Sequence, residues 1–194
     1  MAGVRIMCAQ FTGAGAPKQA VRATWQGMWI AVGLGLIIAT SAYLGVDLFE
    51  FLGATPSVAI HADAFFSIRV LAAPMIFTTL AMSAWFQGSG DTRTPMVATL
   101  ISNGLNIVLD PVFIFGWGVI PAYGVGGAAL ATVTAMAVGW LYLTWRIHNT
   151  LLSTSPLPDL GLTRTLWRFG GPIGVRYLLE VGSYTVFASV LAHV

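Results

Sequence analysis

Five apolar stretches, each long enough to cross a bilayer, constrain this chain more than any other feature. They run over 24–46, 65–87, 95–116, 124–145 and 169–194, and are designated A to E. A hydrocarbon core is crossed by about 20 apolar residues in a helix. Inside lipid the backbone must satisfy its own hydrogen bonds, and runs of this length do so as α-helices. The predicted fold is therefore an all-α polytopic membrane protein with five transmembrane helices. Only 8 % of the 194 residues are charged and 57 % are hydrophobic, against about 25 % charged in soluble domains. So little charge excludes disorder, a nucleic-acid binder and a soluble domain. The single cysteine, Cys8, excludes a disulfide scaffold. No basic stretch with a cleavage site opens the chain, so no removable signal peptide is expected.

Charge sorts the connections onto two sides. Arg5, Lys18 and Arg22 precede A, Arg93 lies between B and C, and Arg146, Arg164 and Arg168 lie between D and E. The A–B connection holds Asp47, Glu50 and Asp63 without a basic residue, and the C–D connection carries no charge. Basic residues favour the cytoplasmic side, which places the N-terminal segment and 146–168 in the cytoplasm of a multi-pass cell-membrane protein. Aromatic residues agree. Trp25, Trp29, Trp85, Trp145 and Trp167 fall at the inner ends of the spans, and Phe115, Trp117 and Tyr123 at the outer ends. Amphipathic rings favour both interfaces.

The turns fit these spans. Gly88 and Gly90 close B, Thr94 is suited to cap C, and Pro95 suits its first turn. Gly127, Ala131, Ala135 and Gly139 give D a smooth stripe for close approach to another helix. The D–E connection, 146–168, contains Ser153, Ser155, Pro156 and Pro158 and reads as a linker between two lobes. His61 and His148 fall in connections and His193 at the chain end. Met75, Met82 and Met136 read as packing or lipid-facing residues.

Polar side chains inside a span must find a partner or water, so they carry the functional information. Thr99, Asn103, Asn106 and Asp110 fall on one face of C. Asp110 lies about 22 Å along the helix from Pro95, within the outer leaflet. A carboxylate with an amide oxygen one turn below it is a pocket suited to Na⁺ or a transferable proton. Thr132 adds a hydroxyl if D packs beside C. The alternative is that Asp110, followed by Pro111, tidies a helix break. Glu180 stands near the middle of E, where an unpaired carboxylate costs at least ~2.5 kcal/mol and becomes a natural proton carrier. Arg176, one turn earlier, supplies the structural alternative of an intrahelical ion pair. Arg69, early in B, is placed to snorkel outward.

Three segments then form a pattern. QGSGDTRTPM (87–96), SNGLNIVLDPVFIFG (102–116) and YGVGGAALAT (123–132) resemble the multidrug and toxic-compound extrusion (MATE) family, with support from AQFTGAGAPKQAV (9–21) and FGGPIGV (169–175). The resemblance implies a twelve-helix fold of two six-helix lobes around a central cavity. In that frame 1–145 supplies the end of helix two and helices three to six of the first lobe. Residues 146–168 form the cytoplasmic inter-lobe linker, and 169–194 begin the second lobe as helix seven. The first helix and the last five fall outside this chain, which makes it part of a transporter.

The resemblance also implies roles. DinF-type members use an Asn and an Asp one turn apart on helix five and a Thr on helix six, matched here by Asn106, Asp110 and Thr132. Their further Asp on helix one has no counterpart in this chain. NorM-type and eukaryotic members use a Glu on helix seven, which Glu180 resembles. The implied activity is export of organic, often cationic compounds in exchange for H⁺ or Na⁺ by alternating access. No enzyme activity, cofactor, nucleic acid or resident metal is implied, beyond Na⁺ at those residues. The implied partners are a small organic substrate, the bilayer and the remainder of the transporter. Two alternatives stay open, a lipid-linked oligosaccharide flippase of the related superfamily and a non-transporting membrane subunit.

Overall fold

The structure is a computed structural model describing residues 1–44, 49 and 55–192. Asp47, Glu50 and His193 lie outside the described residues. Among those described, the chain forms seven α-helices: α1 (Ala2–Gly13), α2 (Pro17–Ala39), α3 (Pro56–Leu71), α4 (Ala73–Gly88), α5 (Arg93–Phe115), α6 (Gly124–Leu151) and α7 (Leu160–Ala192). A short 3₁₀ turn, Thr40–Leu44, extends α2. Among the described residues, three segments are long and apolar enough to cross a membrane: Pro17–Tyr43, Arg93–Phe115 and Gly124–Leu151. The pair α3 and α4 makes a fourth if it counts as one broken span. As far as Ala192, the last described residue, stretch E lies within α7, whose interior carries Arg176 and Glu180.

Stretch B departs most from its expected form. It begins at Pro56 rather than 65 and breaks at Ala72, with α3 and α4 bent by 49°. Pro74 accounts for the break, because its ring has no N–H to donate and collides with the carbonyl four residues earlier. The earlier start places His61 and Asp63 in a helix rather than a connection. His61 Nδ1 lies 2.7 Å from the Ser57 carbonyl, and Ser67 donates to Asp63 at 3.2 Å. His148 likewise falls in the last turn of α6. The connection expected over 146–168 is largely helical, with only 152–159 outside α6 and α7.

The α4–α5 turn has a different cap from the one expected. Asp91, not Thr94, is the acceptor: its carboxylate takes the Thr94 amide at 3.0 Å and the Thr94 hydroxyl at 2.6 Å. A carboxylate outdoes a hydroxyl here because ionised acceptors bond more strongly and suit a helix N-terminus. These two bonds hold the Asp91 carboxyl below its ordinary range, with a smaller contribution from the Arg146 charge. Arg146 in turn donates to Thr94 Oγ1 at 3.2 Å, tying the start of α5 to the end of α6.

The seam between α5 and α6 positions the candidate site. All four residues of the small stripe, Gly127, Ala131, Ala135 and Gly139, are buried. A Cβ at Gly127 would collide with the Phe113 carbonyl, and one at Gly139 would meet Ser102 Oγ and lie 3.1 Å from the Ala98 carbonyl. The two backbones therefore lie as close as glycine allows, as expected of a small-residue stripe in a membrane helix pair. A second cluster joins α1, α2, α4 and the first turns of α7 through Val4, Met7, Cys8, Ala20, Ala23, Ala84 and Leu166. Large apolar side chains on the outside, among them Leu100, Ile107, Val108, Leu178 and Phe187, are exposed, as a lipid-solvated or further-covered surface requires.

Candidate functional site

The polar face of stretch C divides into members with different partners. Thr99 donates to the Pro95 carbonyl at 3.0 Å, so its hydroxyl is satisfied within α5. Asn103 is exposed. Asn106 and Asp110 are half-buried, as is Thr132 across the seam on α6. Asn106 Nδ2 donates to Asp110 Oδ1 at 3.0 Å and to Thr132 Oγ1 at 3.4 Å. Thr132 places its own proton on the Ala128 carbonyl at 2.8 Å, which leaves its oxygen lone pairs toward Asn106. Three residues from two helices thus converge on one amide group, as the spacing predicted if α6 packs beside α5.

Helix α5 continues through Pro111 to Phe115. The break that Asp110 would have tidied is absent, although Pro111 deprives the Ile107 carbonyl of its helical donor. The carboxylate therefore accepts from Asn106 within a continuous helix instead of sitting at a frayed end. The arrangement sets a carboxyl group and the Thr132 hydroxyl oxygen around the Asn106 amide, whose nitrogen is directed at both. Hard monovalent cations and protons are what such a set can hold.

Glu180 is not part of this cluster. Helix α7 packs on α1 and α2 and, among the described residues, not on α5 or α6. Its carboxylate is exposed, and no ion pair joins it to Arg176 among the described residues. The intrahelical alternative is thus not formed here. Arg69 has a partner on a neighbouring helix. It turns toward α6, where Nη1 lies 3.1 Å from Met136 Sδ, one helical turn from Thr132. An open apolar hollow of about 620 Å³ near the start of α3, lined by Phe49, Val58, His61, Phe65 and Phe66, touches none of the four candidate residues.

Sequence reasoning missed one group entirely. Trp25 and Trp29 were expected only as interface anchors, and Gln26 was not singled out. All three donate from α2 to the end of α6 or the connection after it: Trp25 to the Leu151 carbonyl, Gln26 to that of Leu157 and Trp29 to that of Pro156. The signal lay in the sequence, since a glutamine between two tryptophans in an apolar helix needs a partner.

Comparison with known proteins bears on the family and the fold. The MatE family model matches residues 1–112. Protein DETOXIFICATION 44, chloroplastic, from Arabidopsis thaliana is 32 % identical over 84 % of this chain and 31 % of its own length. A probable multidrug resistance protein NorM from Thermotoga maritima is 30 % identical over 97 % of this chain and 42 % of its own length. A solved inward-facing structure of a multidrug resistance MATE family transporter of the MOP superfamily superposes with a TM-score of 0.76 at 27 % identity, covering 88 % of this chain and 40 % of that one. The chain spans about a third to two fifths of the length of the curated relatives it matches.

Proposed function

This chain belongs to the MatE family, and we propose that it supplies part of the first lobe and helix seven of a secondary antiporter exporting organic, often cationic compounds in exchange for Na⁺ or H⁺. The observation that carries the proposal is the Asn106 amide nitrogen bonded at once to Asp110 and Thr132. That nitrogen stands where an oxygen ligand of a coupling cation would stand. Turning the amide over replaces its two donor hydrogens with a carbonyl oxygen, and a Na⁺ entering there meets carboxylate, carbonyl and hydroxyl oxygens together. A proton works through the same group. Protonated Asp110 becomes a donor, loses its charge-assisted bond to Asn106, and favours the turned amide. Either ion therefore acts on one switch, which fits a site whose composition does not choose between them.

Coupling requires that the ion bind one arrangement of the lobes better than the other, because only differential affinity moves an equilibrium. The seam between α5 and α6 gives the switch leverage, since a change at Asn106 bears on both helices. Glu180 is the second carboxylate of the proposal. It serves as a proton carrier on α7, on a face to be covered by the rest of the transporter. Substrate sits between the lobes against apolar and aromatic side chains, where a carboxylate favours cations. The N-terminal segment and the connection containing 152–159 lie on the cytoplasmic side, supported by their basic flanks.

The test is reconstitution of a transporter of full family length carrying this segment. Ethidium efflux from vesicles is followed under an inward Na⁺ or H⁺ gradient. Efflux accelerated by at least one gradient is expected. Ethidium movement indifferent to both would overturn the antiport reading.

A further inference from the structure

The segment expected to tether two lobes is fastened along its length to one of them. Arg22, Trp25, Gln26 and Trp29 occupy positions i, i+3, i+4 and i+7 of α2 and so share one helix face. All four reach the chain between Leu151 and Thr163. Trp25 Nε1 donates to the Leu151 carbonyl at 3.2 Å and Trp29 Nε1 to the Pro156 carbonyl at 2.8 Å. Gln26 Nε2 donates to the Leu157 carbonyl at 3.0 Å. Its Oε1 accepts the Asp159 amide at 3.0 Å and the Thr163 hydroxyl at 3.3 Å. Arg22 meets Asp159 at 2.9 Å, while the other Asp159 oxygen accepts the Gly161 and Leu162 amides at 2.9 and 3.1 Å. One carboxylate thus begins α7 and ties it to α2.

These contacts differ in weight. The Arg22–Asp159 pair is largely exposed and contributes little. Gln26 is only 2 % exposed, and lifting the connection off α2 would break all three of its side-chain bonds at once. Lifting would also withdraw Leu166, 4 % exposed, from the cluster it shares with Val4, Met7, Cys8 and Ala84. Past Leu166 none of the described side chains of α7 is buried, and Tyr177, Leu178 and Leu179 are all exposed.

We infer that residues 151–166 are a fixed part of the first lobe, clamped to α2 by Gln26 in both states of the transport cycle, so that relative motion of the lobes begins beyond Gly170. The clamp stands on its own contacts; its bearing on the cycle rests on the antiport reading above.

Spin labels at the exposed positions Lys18 and Ser155, in a transporter of full family length, report the seating of the connection on α2. A single narrow distance distribution is expected, unchanged by Na⁺ or by pH. Gln26→Leu should broaden it and shift it to longer distance. Trp29→Phe, which removes one bond at an exposed position and leaves the core intact, should broaden it less. In a second arm, Arg22→Cys and Asp159→Cys are joined by a short bis-methanethiosulfonate, each thiolate displacing methanesulfinate to form a reducible disulfide, and ethidium efflux is measured, with no loss of rate expected. A wild-type distribution already broad, or one that neither Gln26→Leu nor Trp29→Phe alters, overturns the clamp. Efflux abolished by the cross-link and restored on its cleavage overturns its permanence. A wild-type protein that moves no ethidium counts against the antiport reading, and the spin-label arm still decides the clamp.

Discussion

Replacing Asp110 by Asn removes a charge and almost no atoms. The new amide retains an oxygen to accept from Asn106 Nδ2, now 3.0 Å from the carboxylate, so the α5–α6 seam should hold. Loss of charge assistance in that bond costs about 1 kcal/mol. The effect on a bound cation is larger. Two unit charges about 4 Å apart attract by about 4 kcal/mol at an effective dielectric constant of about 20, and by about 1 kcal/mol in bulk water. The site is half-buried, so the loss in ion affinity should fall between about fivefold and about a thousandfold, nearer the upper figure the better water is excluded. The assay is ethidium efflux against Na⁺ concentration at several pH values, beside a thermal melt of the purified protein. A large rightward shift or loss of ion dependence with a nearly unchanged melting temperature is expected. Unchanged ion dependence in a well-folded variant would refute the reasoning, and a collapsed fold would show that the carboxylate is structural.

Four further outcomes follow from the same contacts. Thr132→Val removes the oxygen 3.4 Å from Asn106 and should weaken ion dependence about fivefold, one neutral hydrogen bond's worth, read in the same efflux titration. Gly127→Leu places side-chain atoms against the Phe113 carbonyl and should cost about 1–3 kcal/mol or more, seen as a lower melting temperature. Glu180→Gln should flatten the pH dependence of efflux while leaving the Na⁺ response of the α5–α6 site intact, because α7 does not pack on those helices. The Asp91 carboxyl is held low by Thr94, so its contribution to folding is fully present above the unfolded value of about 3.9 and is lost as pH falls through the lower folded one. Hydrogen exchange at the Thr94 amide should therefore stay slow to a pH below the ordinary carboxylate range, and Asp91→Asn should abolish that acid step.

What the sequence made legible was whatever depends on one helix at a time. The apolar lengths, the small stripe on α6 and the one-turn spacing of Asn106 and Asp110 are periodic signals. The meeting with Thr132 followed from them once α5 and α6 were taken as neighbours. Less legible were features set by competition between groups. Thr94 looked like a cap, but Asp91 lies three residues earlier and its carboxylate is the stronger acceptor. Pro74 sat inside an apolar run that composition read as one span, and hydropathy carries no information about a missing N–H. The connection looked like a tether because its serines and prolines are those of linkers. Its actual seat depends on buried Gln26, whose partners are over a hundred residues away.

The most direct test of the account is the state of the Asn106 side-chain amide itself. In selectively labelled protein, its nitrogen resonance, assigned by its disappearance in Asn106→Gln, is followed through Na⁺ and pH titrations. A saturable shift with the same midpoint as ion-driven efflux, absent in Asp110→Asn, is the expected result. An Asn106 resonance that stays in place while efflux still responds to the ion would mean that coupling resides elsewhere, and that these three residues only hold two helices together.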